Sequence, residues 1–281
     1  MKTILITGGA GFIGSNVVED LLNQKESYKL IVIDNLNDYY SPEHKKENIK
    51  PFLNKITFYE GDITDKDFLI EIFNKENIDK VIHLAARAGV RPSIENPDLY
   101  VKTNILGTIN LLELSKENNI ENFIFASSSS VYGERKEVPF KESDNIGKVE
   151  SPYAQTKKSA EELIYLYNKL YSLNSVCLRF FTVYGERGRP DMAPYLFTKA
   201  IINGETINKF GDGSSKRDYT YIKDITKGII KCLDKNFGYE IINLGYGSPI
   251  TLNDFIETLE KTIDKKANIN QIKNQPGDVS T

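Results

Sequence analysis

The chain is poor in cysteine. Its 281 residues include only Cys177 and Cys232, far apart and without the paired spacing of a metal knuckle, and Cys177 lies in an apolar run where a thiol packs. That excludes a disulfide scaffold, and no metal site is expected. Basic charge is not in excess either. Lys and Arg number 36 against 39 Asp and Glu, for a net charge of -3 and a pI near 5.7, so no positive field gathers nucleic acid or anionic lipid. Long apolar runs are missing too. The opening MKTILITGGAGF is broken by Gly8 and Gly9 before a signal-peptide core can form, and no later run approaches the ~20 residues of a membrane span. Nor is there an internal repeat or low-complexity tract. What remains is an ordinary globular composition, 40% hydrophobic and 27% charged, predicting a cytoplasmic protein with one large core or a core plus a smaller lobe.

Against these absences, short runs rich in isoleucine and valine recur at 3–7, 29–34, 56–60, 79–85, 122–127 and 175–181. Segments of helical periodicity lie between several of them, at 12–25, 65–76, 97–118 and 151–173. Alternation of this kind predicts an α/β fold, a doubly wound parallel sheet covered on both faces. After about residue 182 the pattern loosens into glycine- and proline-containing loops broken by helices near 192–203, 224–235 and 251–264. The expected division is therefore 1–181 for the sheet domain and 182–281 mainly for a smaller, interleaved lobe.

TILITGGAGFIGSNVVEDLL sets Gly8, Gly11 and Gly14 between a strand and an amphipathic helix. The three glycines serve a tight turn, close approach of backbone to a pyrophosphate, and helix packing against the strand. Asp34 follows about 20 residues on, at the end of LIVID, where a carboxylate accepts from ribose hydroxyls and repels a 2′-phosphate. NAD is favoured over NADP, with Asn35 where an NADP enzyme would often carry arginine. Asp62, ending the third strand, is a candidate for the adenine amino group or a plain turn aspartate.

SPYAQTKKSAEE holds Tyr153 and Lys157 one helical turn apart behind a Ser151-Pro152 start. A phenol with a pKa near ~10 is a poor base at neutral pH, but an ammonium and a nicotinamide ring beside it favour the phenolate. The strand NFIFAS runs into ASSSSVYG, four hydroxyls and no carboxylate.

Together the glycine motif, HLAA at 83–86, the serine-rich strand end and Tyr-x-x-x-Lys resemble the extended short-chain dehydrogenase/reductases of the nucleotide-sugar branch, over essentially the whole chain. The resemblance implies a Rossmann domain with Phe12, Ile13, Ile63, Leu84, Ala85, Ala86 and Asn104 beside the cofactor or supporting the active-site helix. It makes Ser128 the hydroxyl beside Tyr153, with Ser127 and Ser129 as lesser claimants, and has Lys157 also hold the nicotinamide ribose. Relatives that eliminate water or carbon dioxide carry an acid where Ser129 and Ser130 stand, so redox-neutral epimerisation is expected.

In the second lobe, RFFTVYGERGRPDMAPYLFTKAI and FGDGSSKRDYTYIKDI resemble the UDP-glucuronate 4-epimerases, as do AGVRPSIENP, with Arg91, and NDYYSPEHKKENI. That likeness implies a UDP-sugar substrate, Arg217 on the diphosphate, Phe210 near uracil and Asp278 on the uridine ribose. Arg189 with Thr182 would restrain the uronate carboxylate bidentately, so that the β-keto acid keeps its carbon dioxide. The competing role for Arg189 is to tie down its own loop. Glu186 and Arg187 depart from the Pro-Trp common in the family. Relatives also continue with C-terminal helices past the point where Thr281 stands, which implies a shortened second lobe. A UDP-glucose/UDP-galactose 4-epimerase and a catalytically inactive NAD-binding regulator remain as alternatives. A homodimer through the helices at 97–118 and 151–173 is usual among the relatives.

Overall fold

The computed structural model describes residues 1–135 and 137–273. In chain order its elements run β1 (Lys2–Thr7), α1 (Phe12–Leu22), β2 (Tyr28–Asp34), α2 (Pro42–Ile49), β3 (Thr57–Glu60), α3 (Lys66–Lys75), β4 (Lys80–His83), α4 (Val90–Glu95), α5 (Pro97–Val101), α6 (Gly107–Glu117), β5 (Asn122–Ser128) and α7 (Pro152–Tyr171). Then come β6 (Ser175–Phe180), β7 (Thr182–Tyr184), α8 (Ala193–Asn203), β8 (Thr206–Phe210), β9 (Lys216–Arg217), β10 (Tyr219–Tyr221), α9 (Ile222–Lys231), β11 (Tyr239–Leu244), β12 (Ile250–Thr251), α10 (Leu252–Ile263) and β13 (Asn268–Ile272).

The isoleucine-rich runs form a seven-stranded sheet in the order β3-β2-β1-β4-β5-β6-β11, parallel throughout. β1 is buried at every position after Lys2 and β2 from Leu30 onward, because helices cover both faces and leave no solvent side to alternate with. Neighbouring residues of β1 accordingly serve two cores. Ile4 and Ile6 pack with Val17, Leu21, Ile225 and Ile229 of α1 and α9, while Leu5 packs with Leu69, Ile72, Leu111 and Ile164 of α3, α6 and α7. Each such side chain contributes roughly 1.5–3 kcal/mol by leaving water. The chain winds outward from β1 to β3, returns to β4 and winds the other way. That reversal opens a crevice at the carboxyl ends of β1 and β4.

The seventh strand was not foreseen. β11 pairs with β6 from Tyr239 opposite Ser175 to Leu244 opposite Phe180, and with α9 it returns to the sheet domain from beyond residue 182. The expected helix over 97–118 is also divided. Asn96-Pro97 starts a fresh turn, and Lys102–Leu106 form one π-helical turn between α5 and α6, a wide turn frequent at functional sites. Elsewhere the caps follow sequence: the Ser151 hydroxyl accepts from Ala154 N–H at 3.1 Å ahead of α7, and Thr251 with Asp254 makes a capping box on α10. The smaller lobe has its own core of Phe197, Ala200, Ile207 and Ile256.

Candidate active site

A cleft of about 710 Å³ follows the carboxyl ends of β1, β2, β4 and β5 and continues to the smaller lobe. At one end it is made of backbone. Gly8 has φ of 72° and a Cβ there would meet Ala85 N at 2.7 Å; one on Gly14 would meet Gly8 O at 2.2 Å. Gly11 opens α1 with no side-chain cap and no acid follows in the first turn, so the positive end of the helix faces the cleft. Asp34 is buried, its carboxylate accepting from Ala10 N–H at 3.0 Å and Leu36 N–H at 2.9 Å. Burial raises its pKa, and those amides and Lys45 offset only part of that rise. Asn35 donates to Asp62 at 2.7 Å and Thr64 N–H donates to the same carboxylate at 2.8 Å, so Asp62 is a turn aspartate that also lines the cleft.

Phe12, Ile13, Ile63, Leu84, Ala85 and Ala86 line this end as well. Asn104 does not. It lies behind the wall, exchanging hydrogen bonds with the Arg87 backbone at 2.8 and 2.9 Å and donating to Thr156 on α7 at 3.0 Å. Its position is that of a support, not a cofactor contact.

At the middle, Ser128, Tyr153 and Lys157 face one space. Lys157 Nζ donates to Ala126 O at 2.7 Å and lies 4.7 Å over the Phe125 ring. Burial pushes its pKa down to about 7, against the pull of Glu161. Tyr153 lies one helical turn before it on α7. Burial leaves the phenol above its ordinary value, and within the protein the opposing influences are a hydrogen bond with Ser128 and the charge of Arg189, not Lys157. Ser127 turns inward instead, donating to Glu161, whose carboxylate takes a two-pronged hold from Arg179 at 2.9 and 2.7 Å. Ser129 and Ser130 line the cleft, and the Ser130 hydroxyl donates to Ser128 at 2.9 Å.

The sugar-side residues are less united. Thr182, Arg189 and Arg217 line the cleft. Arg91 and Phe210 do not; they stack on each other at 4.5 Å. Asp278 lies outside the described residues. Arg189 is already engaged: its Nε donates to Asp191 at 3.0 Å, and its Nη2 donates both to Asp191 and to Tyr39 OH at 3.0 Å. Burial opposes its charge, but Asp191 more than offsets that and the pKa is raised. Only Nη1 is left for a further anion, so the bidentate hold expected from sequence is directed at Asp191. Arg187, one of the residues replacing Pro-Trp, braces the same loop on α1 by donating to Asn16 at 3.0 Å and Glu19 at 2.6 Å.

Sequence reasoning passed over Tyr39, Glu150 and Lys45, all on the cleft wall. Lys45 is buried beside Asp34, donating to Asn37 O at 2.7 Å, and the signal for it was its place four residues before Ile49, the other buried residue of α2.

The NAD dependent epimerase/dehydratase model matches residues 4–245. The chain belongs to the NAD dependent epimerase/dehydratase family. A UDP-glucuronate 4-epimerase of Thermodesulfobacterium geofontis is 48% identical over 277 residues, 95% of this chain and 82% of that one. Among solved structures, the UDP-glucuronic acid 4-epimerase of Bacillus cereus, in complex with UDP-glucuronic acid and NAD, superposes with a TM-score of 0.92 at 38% identity, covering 99% of this chain and 88% of that one. The UDP-glucose 4-epimerase of Thermotoga maritima, with UDP-glucose, gives 0.91 at 33% identity over 99% and 88%. The cleft fits the dinucleotide of this epimerase/dehydratase family on its own geometry: a cradle that a Cβ would fill at Gly8 and Gly14, a helix start at Gly11 without a side-chain cap and a buried carboxylate at Asp34.

Proposed function

We propose that the protein is an NAD-dependent isomerase that inverts C4 of a UDP-hexuronic acid, interconverting UDP-glucuronate and UDP-galacturonate through a transient 4-keto sugar. The observation that carries this is the meeting of Ser128, Tyr153 and Lys157 with a glycine cradle in one cleft whose serine-rich strand end has hydroxyls at Ser129 and Ser130. Residues 1–181 mainly hold the dinucleotide and 182–281 mainly the nucleotide sugar. Gly8, Gly11 and Gly14 with α1 hold the pyrophosphate, Asp34 the adenosine ribose and Lys157 the nicotinamide ribose. When bound, NAD supplies a reversible two-electron oxidation at sugar C4.

Tyr153 takes the proton of the 4-hydroxyl, with Ser128 hydrogen-bonded to both, and gives it back to the same oxygen, O4, once the keto sugar has turned about its diphosphate to present the opposite face of C4 to the dinucleotide. A neutral hydroxyl at Ser129 or Ser130 cannot shuttle a proton at C5, which disfavours elimination. Arg217 holds the diphosphate. Arg189 and Thr182 keep the carboxylate out of line with the ketone, and this restraint prevents loss of carbon dioxide. Incubation of the purified protein with UDP-glucuronate should give UDP-galacturonate, with about 10²–10⁴-fold less product for Tyr153→Phe. An active Tyr153→Phe enzyme refutes the role, and a product lacking carbon dioxide refutes the reaction.

One observation favours a second reading. With two of its donors on Asp191, Arg189 offers a sugar carboxylate less than a full fork, as a UDP-glucose/UDP-galactose 4-epimerase would require; side-by-side turnover on acidic and neutral sugars separates the two. We also infer a homodimer. Leu99, Val101 and Leu106 on one helical run and Leu166, Leu170 and Tyr171 on α7 are exposed apolar residues, and light scattering at twice the chain mass is the expected result. Free buried thiols at Cys177 and Cys232 suit a reducing cytoplasm. No helix among the described residues is long and apolar enough to cross a membrane.

A further inference from the structure

His83 ends β4 beneath the cleft, fully enclosed between the rings of Phe123 and Phe125 at 6.0 and 5.5 Å. Its two nitrogens are hydrogen-bonded, and the proton on the ring can be assigned by elimination. The Thr108 hydroxyl donates to Asn104 O at 2.7 Å, a bond back into the π turn, and a hydroxyl has one proton to give. Toward His83 Nε2, 2.9 Å away, Thr108 can therefore only accept, so Nε2 carries the hydrogen. Nδ1 of the neutral ring is then bare, and Thr7 Oγ1 at 2.8 Å donates to it while accepting from Ala85 N–H at 3.2 Å. Burial, helped by the charge of Lys157 on α7, pushes the His83 pKa down to about 3, which keeps the ring neutral.

The chain of bonds continues past the π turn. Asn104 donates to Thr156 Oγ1 at 3.0 Å, and Thr156 donates to Tyr153 O at 2.8 Å. Every proton in the run has one place. It begins at the residue before Gly8, whose backbone sits against Ala85, and ends on the backbone of the tyrosine. None of the cleft wall is made by His83, so it acts only through others.

We propose that His83, fixed as the Nε2–H tautomer, is a positioning residue that locks the π turn at Lys102–Leu106 and, through Asn104 and Thr156, sets Tyr153 against the glycine cradle. The inference rests on Tyr153 being the proton acceptor proposed above, and a displacement of about 1 Å in such a group costs on the order of 100-fold in rate.

The protein has two histidines, His44 and His83, so nitrogen NMR of histidine-labelled protein resolves each, with His44→Gln giving the assignment. The expected spectrum at pH 7 shows His83 protonated at Nε2 alone and unchanged at pH 5.5; an Nδ1–H form or an averaged pair overturns the proposal. Thr108→Val keeps the shape of the side chain and removes the hydroxyl. It should lower kcat for epimerisation about tenfold or more, leave KM within about twofold and allow the His83 tautomers to exchange, whereas Thr108→Ser should restore both the rate and the single tautomer. Wild-type kcat in Thr108→Val overturns the proposal. If Thr108→Val does not fold, Thr7→Val against Thr7→Ser carries the same pair of readings from the other side of the ring. The spectra need no substrate, so a wild-type protein with the expected tautomer and no turnover on UDP-glucuronate would count against the functional reading and not against the fixed ring.

Discussion

The two ends of the cleft are built from different material. The dinucleotide end is backbone and short buried side chains: Gly8 against Ala85, the start of α1 at Gly11, and Asp34 pinned by two N–H groups. Nothing there has a second place to go. At the other end a long cationic side chain, Arg189, has found partners within the protein in Asp191 and Tyr39, and Arg91 on Phe210 is a like pair off the cleft. A rigid cradle suits a cofactor that stays through the cycle, and exchangeable partners suit a substrate that must enter, turn over and leave.

The strongest way to break that contrast is Gly14→Ala. A methyl at 2.2 Å from Gly8 O meets backbone that cannot yield, so the variant should lose about 1–3 kcal/mol of stability, retain no NAD on purification and show no turnover of any sugar; NAD released on denaturation measures it. Arg189→Ala tests the other end. It should cost about 10- to 100-fold in kcat/KM on UDP-glucuronate, the range for losing a charged hydrogen bond, with NAD content unchanged and a smaller loss on UDP-glucose, where only the influence of its charge on Tyr153 is removed.

Lys157 sits where the ends meet and gives a test by pH. Unfolded, it keeps its proton to about pH 10.4; folded, burial lets it go near 7. Between those values the unfolded chain binds more protons, so stability should rise from pH 7 to about 8.5, beyond which exposed thiols begin to ionise, with a slope from this residue of at most about 1.4 kcal/mol per pH unit. Below pH 7 the full cost of the buried charge remains. Urea unfolding of Lys157→Met should lack the slope, and an unchanged slope would deny that the residue is desolvated. The smallest effect is expected from Asp191→Asn, which releases the Arg189 fork without altering shape: KM for UDP-glucuronate should fall about two- to fivefold, in the range of a partly exposed ion pair. A rise in KM would mean that Asp191 aims the guanidinium and does not compete for it.

The same contrast governed what the sequence could reveal. Glycines at required turns, an acid at a strand end and Tyr-x-x-x-Lys on one helical face are constraints of local geometry, so their places in the cleft were legible. Lys45, Tyr39 and the Arg189–Asp191 pair owe their positions to contacts between segments far apart or to a choice among partners, and local pattern does not encode such a choice. Asn104 was read as part of the cofactor wall or helix support; only the π turn, a half-step of register inside an apparently continuous helix, shows that it turns inward. β11 escaped because YEIINL lies amid loop-rich sequence, and its membership in the main sheet depends on pairing with β6 across an intervening lobe.

That late strand has a consequence for synthesis on the ribosome. Phe180 and Tyr239 are about 60 residues apart, or roughly 3–12 s of translation. Throughout that interval β6 lacks its outer partner, so its outward amides and carbonyls are open to a stray strand from another nascent chain. Expression at high density should therefore favour aggregation through β6, and slowing initiation, which spaces neighbouring ribosomes, should increase the soluble yield.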